Sequence, residues 1–400
     1  MKIVIHTLTL AATALFCASS IAAETEKAKS PTPPYKVVEL YAPAHFGNGY
    51  ECMGQYEMRD MLREGKFWGC TRYGDWFDML DCSDPFRKDT QWGLGRALWW
   101  AKKLNFRSAE KVGLQTDFLL TPNHVYVDRL RPALLAEDGK RRGRHIFGQL
   151  ICPSKPEARK LILQDYDRLF ADLARSGVSL HGMSSCPYDY GGCGCDKCHP
   201  WIIAWAELCH DIFELAKKHH PEIEMTMVGW WWAPEEHKLF ADWADKNHPA
   251  WLKAMYLHIL YGKTAVADVP LPKGCAKGAF VHIGYADKTS PRDLYGHYGP
   301  MVAPVRLQKT LEGLKKQGVT HLMAYSEGQC DNLNKAIYAG LASGKFKTSH
   351  EVLTAYAKRY FGTDDATSTQ WAKWLAAWGE PFGRDTTKAK AELAELLAKT

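Results

Sequence analysis

The sequence predicts an α/β chain folded as a (β/α)8 TIM barrel with a short C-terminal helical extension. Three observations predict it. From Tyr35 onward, apolar strand-like runs alternate with amphipathic helical stretches, the pattern of right-handed βαβ units on a parallel sheet. Roughly eight such pairs occur, enough to close a barrel rather than leave an open sheet. The first strand is not followed by the GxGxxG turn that an open dinucleotide-binding sheet carries. A chain of 400 residues holds one such domain, because α/β barrels routinely exceed about 250 residues.

The elements follow in order. Lys36–Tyr41 reads as the first strand, and the region to Leu80 as irregular except for a helix around Tyr56–Arg63. Gly93–Leu104 is helical, Leu114–Leu120 a strand, and Gln149–Cys152 a short strand. Pro156–Arg175 is a strong helix, with Leu161, Leu169, Phe170 and Leu173 recurring on one face. Val178–Met183 is a strand, followed by a Cys-rich loop and the helix Trp201–Lys218. Glu224–Gly229 and Leu252–Leu260 read as strands on either side of the helix Glu235–Asp245, and Ala279–Gly284 as the next strand. The helix Val305–Gln317, the last strand Thr320–Tyr325 and its partner helix Asp331–Leu341 complete the pattern. The barrel is expected over 35–345, with 346–400 as helices packed on it. Trp371, Trp374 and Trp378 recur there at the spacing of a packing stripe.

The N-terminus reads as a secretory signal over 1–23. Lys2 precedes an uncharged run from Ile3 to Phe16, and small residues at Ala18, Ser19, Ser20, Ala22 and Ala23 suit cleavage after Ala22 or Ala23. The bulky Phe16 argues against lipidation at Cys17, and the run falls short of the ~20 residues of a membrane span. A polar linker over 24–34 ends in Ser30-Pro31-Thr32-Pro33-Pro34. The expected location is therefore secreted or periplasmic. Loss of Lys2 with the signal takes the net charge from +6 to about +5. Basic and acidic residues are interspersed, apart from Lys140–Arg144, so nucleic acid binding has no specific support and no membrane insertion is expected. Nothing in the sequence specifies an oligomeric state.

Barrel chemistry sits where strands end, so the residues just after each strand are the candidates. Asp189 follows the fourth expected strand and Glu327 the last, each beside aromatics and glycines. Two carboxylates across a barrel mouth can divide the acid and base duties of glycosidic cleavage. In the alternative reading, Asp189 organises its Gly-rich loop and Glu327 caps a helix. Glu235 and Glu236 follow Pro234 in the first turn of a helix, where acids also suit the dipole. Asp117 lies inside its strand, facing either the mouth or a salt bridge.

Aromatic residues strengthen a sugar reading, because flat rings bind the apolar C–H faces of sugars. Trp230-Trp231-Trp232 ends a strand, and alternation sends neighbours to opposite faces, so at most two can face the site. Trp230 and Trp232 are the expected pair. Tyr188, His124, Glu235, Asp287 and Tyr325 complete the expected substrate-binding set. His181, His258 and His282 are further candidate hydroxyl ligands, but a strand histidine is more often a satisfied core residue. No cofactor is required by this chemistry.

Cys186, Cys193, Cys195 and Cys198 form a dense thiol cluster. In an exported protein disulfides are the ordinary use, joining Cys186 or Cys193 to Cys198. A closed zinc site made by the same four thiols is the second reading. Loss of Cys17 with the signal leaves eleven of the twelve cysteines, so at least one is unpaired or bound to metal.

These segments also resemble a known group. Cys186-Pro-Tyr-Asp-Tyr-Gly-Gly-Cys-Gly-Cys-Asp-Lys-Cys-His-Pro-Trp201 resembles the Asp/Gly/Cys-rich loop of carbohydrate-active barrels related to α-glucuronidases and hexosaminidases. Tyr325-Ser-Glu-Gly-Gln-Cys-Asp-Asn-Leu-Asn-Lys335 and Glu351–Gly362 are similar to their last strand and C-terminal helices, and Cys152–Arg159 to another recurrent segment. The resemblance implies a glycoside hydrolase acting on a carbohydrate, with roles carried over only to Asp189 and Glu327. Hexosaminidases use an Asp-Glu dipeptide, whereas Asp189 is followed by Tyr190, a departure from that mechanism.

Two other classes stand beside it. One is a carbohydrate-binding barrel without catalysis. The other is a metal-dependent barrel hydrolase such as a deacetylase, which wants a His-x-His pair after the first strand where this chain has Pro43-Ala44-His45-Phe46. Basic residues expected near loops, Arg72, Lys140–Arg144 and Arg292, hint at an acidic or sulfated glycan.

Overall fold

The computed structural model describes residues 33–43, 49–88, 93–137, 149–187, 191–259, 263–288, 301–326, 330–380 and 385–400. The expected signal segment, Lys140–Arg144, Tyr188, Asp189, Arg292 and Glu327 lie outside the described residues. Eight strands, β1 (Val37–Ala42), β2 (Arg72–Trp76), β3 (Gln115–Leu120), β4 (Gly182–Ser185), β5 (Glu224–Gly229), β6 (Leu252–His258), β7 (Ala276–His282) and β8 (His321–Tyr325), close a barrel in sequence order. Every pair is parallel, including β1 with β8. This is the (β/α)8 barrel the sequence predicts.

The helices between strands are α1 (Gly49–Cys52) and α2 (Gln55–Trp68), α3 (Leu94–Lys111), α4 (Pro156–Arg175), α5 (Trp201–His219), α6 (Pro234–Asn247) and α7 (Pro304–Lys316). After β8 come α8 (Asn332–Ala342), α9 (Ser349–Phe361), α10 (Asp365–Ala376) and α11 (Thr386–Leu397). Trp68 of α2 stacks on Tyr356 of α9 at 6.0 Å, and Trp371 of α10 packs against Phe361 at 4.5 Å.

Two expectations change. Arg72–Trp76 is a strand where an irregular stretch was expected, and 149–152 contributes only an isolated bridge between Ile151 and Leu135. Val178–Leu180 is buried at Val178 and Leu180 but precedes the paired part of β4.

Alternation along the strands builds two cores. Outward residues such as Val38, Leu40, Tyr73, Phe118 and Leu120 pack against the helices. Phe118 sits between Trp99, Phe106 and Phe170, at 6.3, 6.2 and 5.5 Å. Inward residues fill the barrel, and their middle layer is polar: Glu39, Arg72, Asp117, Ser184, Thr226 and Tyr256 are all buried. Ser184 donates to Asp117 Oδ2 at 2.5 Å, and Tyr256 donates to Glu39 Oε2 at 3.4 Å. Two glycines make this layer possible. A Cβ on Gly74 would stand 2.1 Å from Glu39 Oε1, and one on Gly182 would stand 2.3 Å from Asp117 Oδ1. Burial pushes both carboxyls above their ordinary range, with the Arg72 guanidinium opposing it. Asp117 therefore belongs to the buried layer inside the barrel, bonded by Ser184 with the Arg72 charge nearby, and does not face the mouth. Arg72 lies inside the barrel, 3.8 Å from Glu224, rather than near a loop, so it contributes nothing to an anionic-glycan surface.

Candidate functional site at the C-terminal mouth of the barrel

Above that polar layer, the strands end in a ring of inward-facing aromatic and imidazole side chains. Tyr41 comes from β1, Trp76 from β2, His258 from β6, His282 from β7 and Tyr325 from β8, while Trp230 follows β5 directly. Tyr41, Trp76, Trp230 and Tyr325 belong to one buried cluster with Cys186, Val228, Phe280 and Met323. Within it, Trp230 and His258 are 3.8 Å apart by ring centroids, and His282 stands 5.6 Å from His258, 5.4 Å from Trp230 and 5.2 Å from Tyr325. Tyr41 lies 5.6 Å from both Phe280 and Tyr325. Strands β5 to β8 and β1 thus converge on one face.

Burial sets the charge state of this ring. It pushes His258 down to about 3 and His282 well below the ordinary imidazole range, where His258 also opposes a second positive charge. Both rings are neutral near neutrality. A neutral imidazole offers one donor and one acceptor, which matches a hydroxyl group without bringing net charge.

The tryptophan triplet departs from simple alternation. Trp231 has φ 58°, in the left-handed region, so the strand breaks there. Trp231 then shares the mouth with Trp230, its ring 5.2 Å from His258. Trp232 faces the helices instead, 5.7 Å from Trp205 and 5.2 Å from Phe240. Of the expected pair Trp230 and Trp232, only Trp230 therefore lies at the mouth, with Trp231 beside it.

The remaining candidates fall in different places. His124, after β3, is fully buried and bonds Asp78, after β2, through Nδ1 at 2.7 Å. Asp78 Oδ1 also accepts from Leu80 N–H at 2.9 Å. Asp287 serves the start of α7: its carboxylate accepts from Arg306 N–H at 2.7 Å and Val305 N–H at 3.3 Å. Glu235 is exposed in the first turn of α6, outside the ring. Glu236 carries the structural role there, accepting from Ala233 N–H at 2.8 Å and Trp201 Nε1–H at 2.9 Å. His181 sits at the opposite end of β4, 3.3 Å from the Thr116 hydroxyl. Tyr188 and Asp189 follow β4 and Glu327 follows β8, outside the described residues.

Sequence reasoning passed over Tyr41, Trp76 and Asp78. Their signal was position: each ends or directly follows a strand on the inward phase, but β2 had not been recognised.

The thiols regroup. Cys186 belongs to the mouth cluster, and its place beside Cys193, Cys195 and Cys198 is taken by Cys152. Cys198 carries no disulfide, so the expected pairing of Cys186 or Cys193 with it is not formed. Among the described residues, no helix is long and apolar enough to cross a membrane.

No protein-family profile matches the chain, and no curated protein matches it in sequence. Solved structures do resemble it. An O-GlcNAc hydrolase of Thermobaculum terrenum is 10% identical, with a TM-score of 0.51 over 85% of this chain. The chain spans 65% of that protein's length. A GH20 catalytic module of a pneumococcal exo-β-D-N-acetylglucosaminidase is 10% identical, with a TM-score of 0.46 over 91% of this chain and 97% of its own. An endo-1,4-β-mannanase from Eisenia fetida is 11% identical, with a TM-score of 0.47 over 78% of this chain and 92% of its own. At 10% identity, the likeness to the O-GlcNAc hydrolase is one of fold alone.

Proposed function

We propose that the chain is an exported glycoside hydrolase that binds a poly- or oligosaccharide at the C-terminal mouth of its barrel. Asp189 and Glu327 serve as the carboxylate pair, one protonating the leaving oxygen and the other attacking or activating water. The observation that carries the reading is the ring of Trp230, Trp231, His258, His282 and Tyr325 at the strand ends. It combines flat apolar faces with neutral hydrogen-bonding groups, the two properties a sugar ring presents in return. The carboxylate-bearing segments follow β4 and β8, which are four staves apart in the closed order of strands. Supporting context comes from the glycosidase identity of the structural neighbours, whose likeness extends to the fold.

The test is reducing-end release from a panel of polysaccharides and aryl glycosides, acidic and sulfated ones included. Cleavage of at least one substrate is expected. Binding to a glycan with no cleavage across the panel would favour a carbohydrate-binding barrel instead.

A further inference from the structure

Beside the mouth, in the loops that follow β3 and β4, four thiols meet that the glycosidase chemistry does not use. The Sγ atoms of Cys152, Cys193, Cys195 and Cys198 all lie within 4.8 Å of one another. Cys152 Sγ stands 3.8 Å from that of Cys195 and 3.7 Å from that of Cys198. A disulfide would bring two sulfurs to about 2.05 Å. Four thiolates bound at about 2.3 Å to one tetrahedral ion are instead separated by about 3.8 Å along each edge. The spacing observed is that of a mononuclear tetrahedral site. A polynuclear iron–sulfur cluster would hold its thiolates farther apart, because several irons and sulfides lie between them.

The surroundings fit the same reading. The Glu137 N–H donates to Cys193 Sγ at 3.4 Å, and the Ser154 hydroxyl lies 2.9 Å from Cys198 Sγ, within reach to donate to a thiolate. Donors aimed at sulfur stabilise thiolates and orient them for a metal. Cys152, Cys193 and Cys198 are buried and Cys195 is half-buried, so four ionised thiols would repel one another strongly without a cation. The ligand set is also complete: four sulfurs leave no open position for substrate.

We propose that Cys152, Cys193, Cys195 and Cys198 bind one Zn2+ as a closed structural site, each thiol releasing its proton to solvent. The site clamps the β3–α4 connection, which supplies Cys152, to the β4–α5 connection, which supplies the other three. The backbone already joins the two, with Gly194 N–H donating to Glu137 O at 2.7 Å. On the glycosidase reading, the clamp anchors the loop that carries Asp189.

The experiment is elemental analysis of full-length protein purified without a metal-affinity tag, paired with thiol alkylation and intact mass under denaturing conditions. About one zinc per chain and fully alkylated thiols are expected. Cys152→Ser and Cys195→Ser are expected to lose zinc, with affinity down roughly tenfold or more, and Cys186→Ser to keep it. If the serine variants do not fold, wild-type protein supplies the readout: a thiol-reactive mercurial should release one zinc to a chelating dye as the thiols are consumed. Absence of zinc, iron in its place, a mass short by the hydrogens of one or more disulfides, or zinc lost on Cys186→Ser each overturn the proposal. None of these readouts depends on glycan cleavage.

Discussion

Trp230 lies over His258 with ring centroids 3.8 Å apart and planes inclined by 34°. The contact joins the end of β5 to the end of β6 and places an indole face beside an imidazole kept neutral by burial. Position on the barrel, rather than abundance of tryptophan, is what makes this indole a candidate for sugar binding.

That relationship separates Trp230 from Trp232. Trp230→Phe should raise KM for glycan several-fold, a loss of about 1 kcal/mol of binding, with little change in thermal midpoint. Trp232→Phe should lower the midpoint, because it loosens packing on Trp205 and Phe240, and leave KM unchanged. Steady-state kinetics and thermal melts on both variants check the assignment. Equal KM effects would contradict the split between mouth and helix layer.

Acid should weaken the fold before it protonates the folded histidines. Burial holds His220, His237 and His321 each down to about 4, whereas an unfolded chain takes up those protons near pH ~6.5. The stability tied to keeping them neutral is therefore present above pH ~6.5 and is lost as pH falls towards 4, at up to about 1.4 kcal/mol per pH unit for each ring. His220 shows why the proton is refused: its Nδ1 accepts from Leu180 N–H at 3.3 Å, while Nε2 donates to Phe170 O at 3.2 Å. Urea unfolding between pH 7 and 4.5 should show falling stability, with a shallower fall in His220→Gln.

The buried layer makes a separate prediction. Arg72→Met removes the cation that faces Glu39 and Asp117 and should cost about 3–5 kcal/mol at neutral pH. Both carboxyls already have raised proton affinity in the fold, so the deficit should shrink as pH falls and they become neutral. Denaturant curves at pH 7 and 5 measure this. A deficit that grows in acid would contradict the assignment of Arg72 as their counter-charge.

Much of the barrel was legible because most strands carry apolar residues on both faces. Glu224–Gly229 was read with its observed boundaries for that reason, and the helix Pro156–Arg175 because its apolar residues recur on one face. Arg72-Tyr73-Gly74-Asp75-Trp76 was not, since an arginine and a glycine hold two of its three inward positions and only Trp76 is apolar. Its outward Asp75 is matched by Lys102 at 2.5 Å, a partner that only the fold reveals. The apolar run at 149–152 had the opposite property, looking like a strand while making a single bridge. These two misreadings offset each other, which is why the strand count came out at the value the closed barrel has. At the mouth, Tyr325 and Trp230 followed from strand ends, but Trp231 depended on a left-handed φ that no alternation rule supplies. Cys152 could not be grouped by spacing, because the chain brings it to the other thiols only after α4 and β4 are in place.

The central claim is that cleavage depends on Asp189 and Glu327 while glycan binding depends on the aromatic mouth. The most direct measurement compares cleavage rate and glycan affinity in wild type, Asp189→Asn and Glu327→Gln, using the best substrate of the panel. The account predicts a fall in kcat of about 100-fold or more in each variant, with affinity within a few-fold of wild type. Amide variants that cleave at wild-type rates, at unchanged affinity, would contradict it.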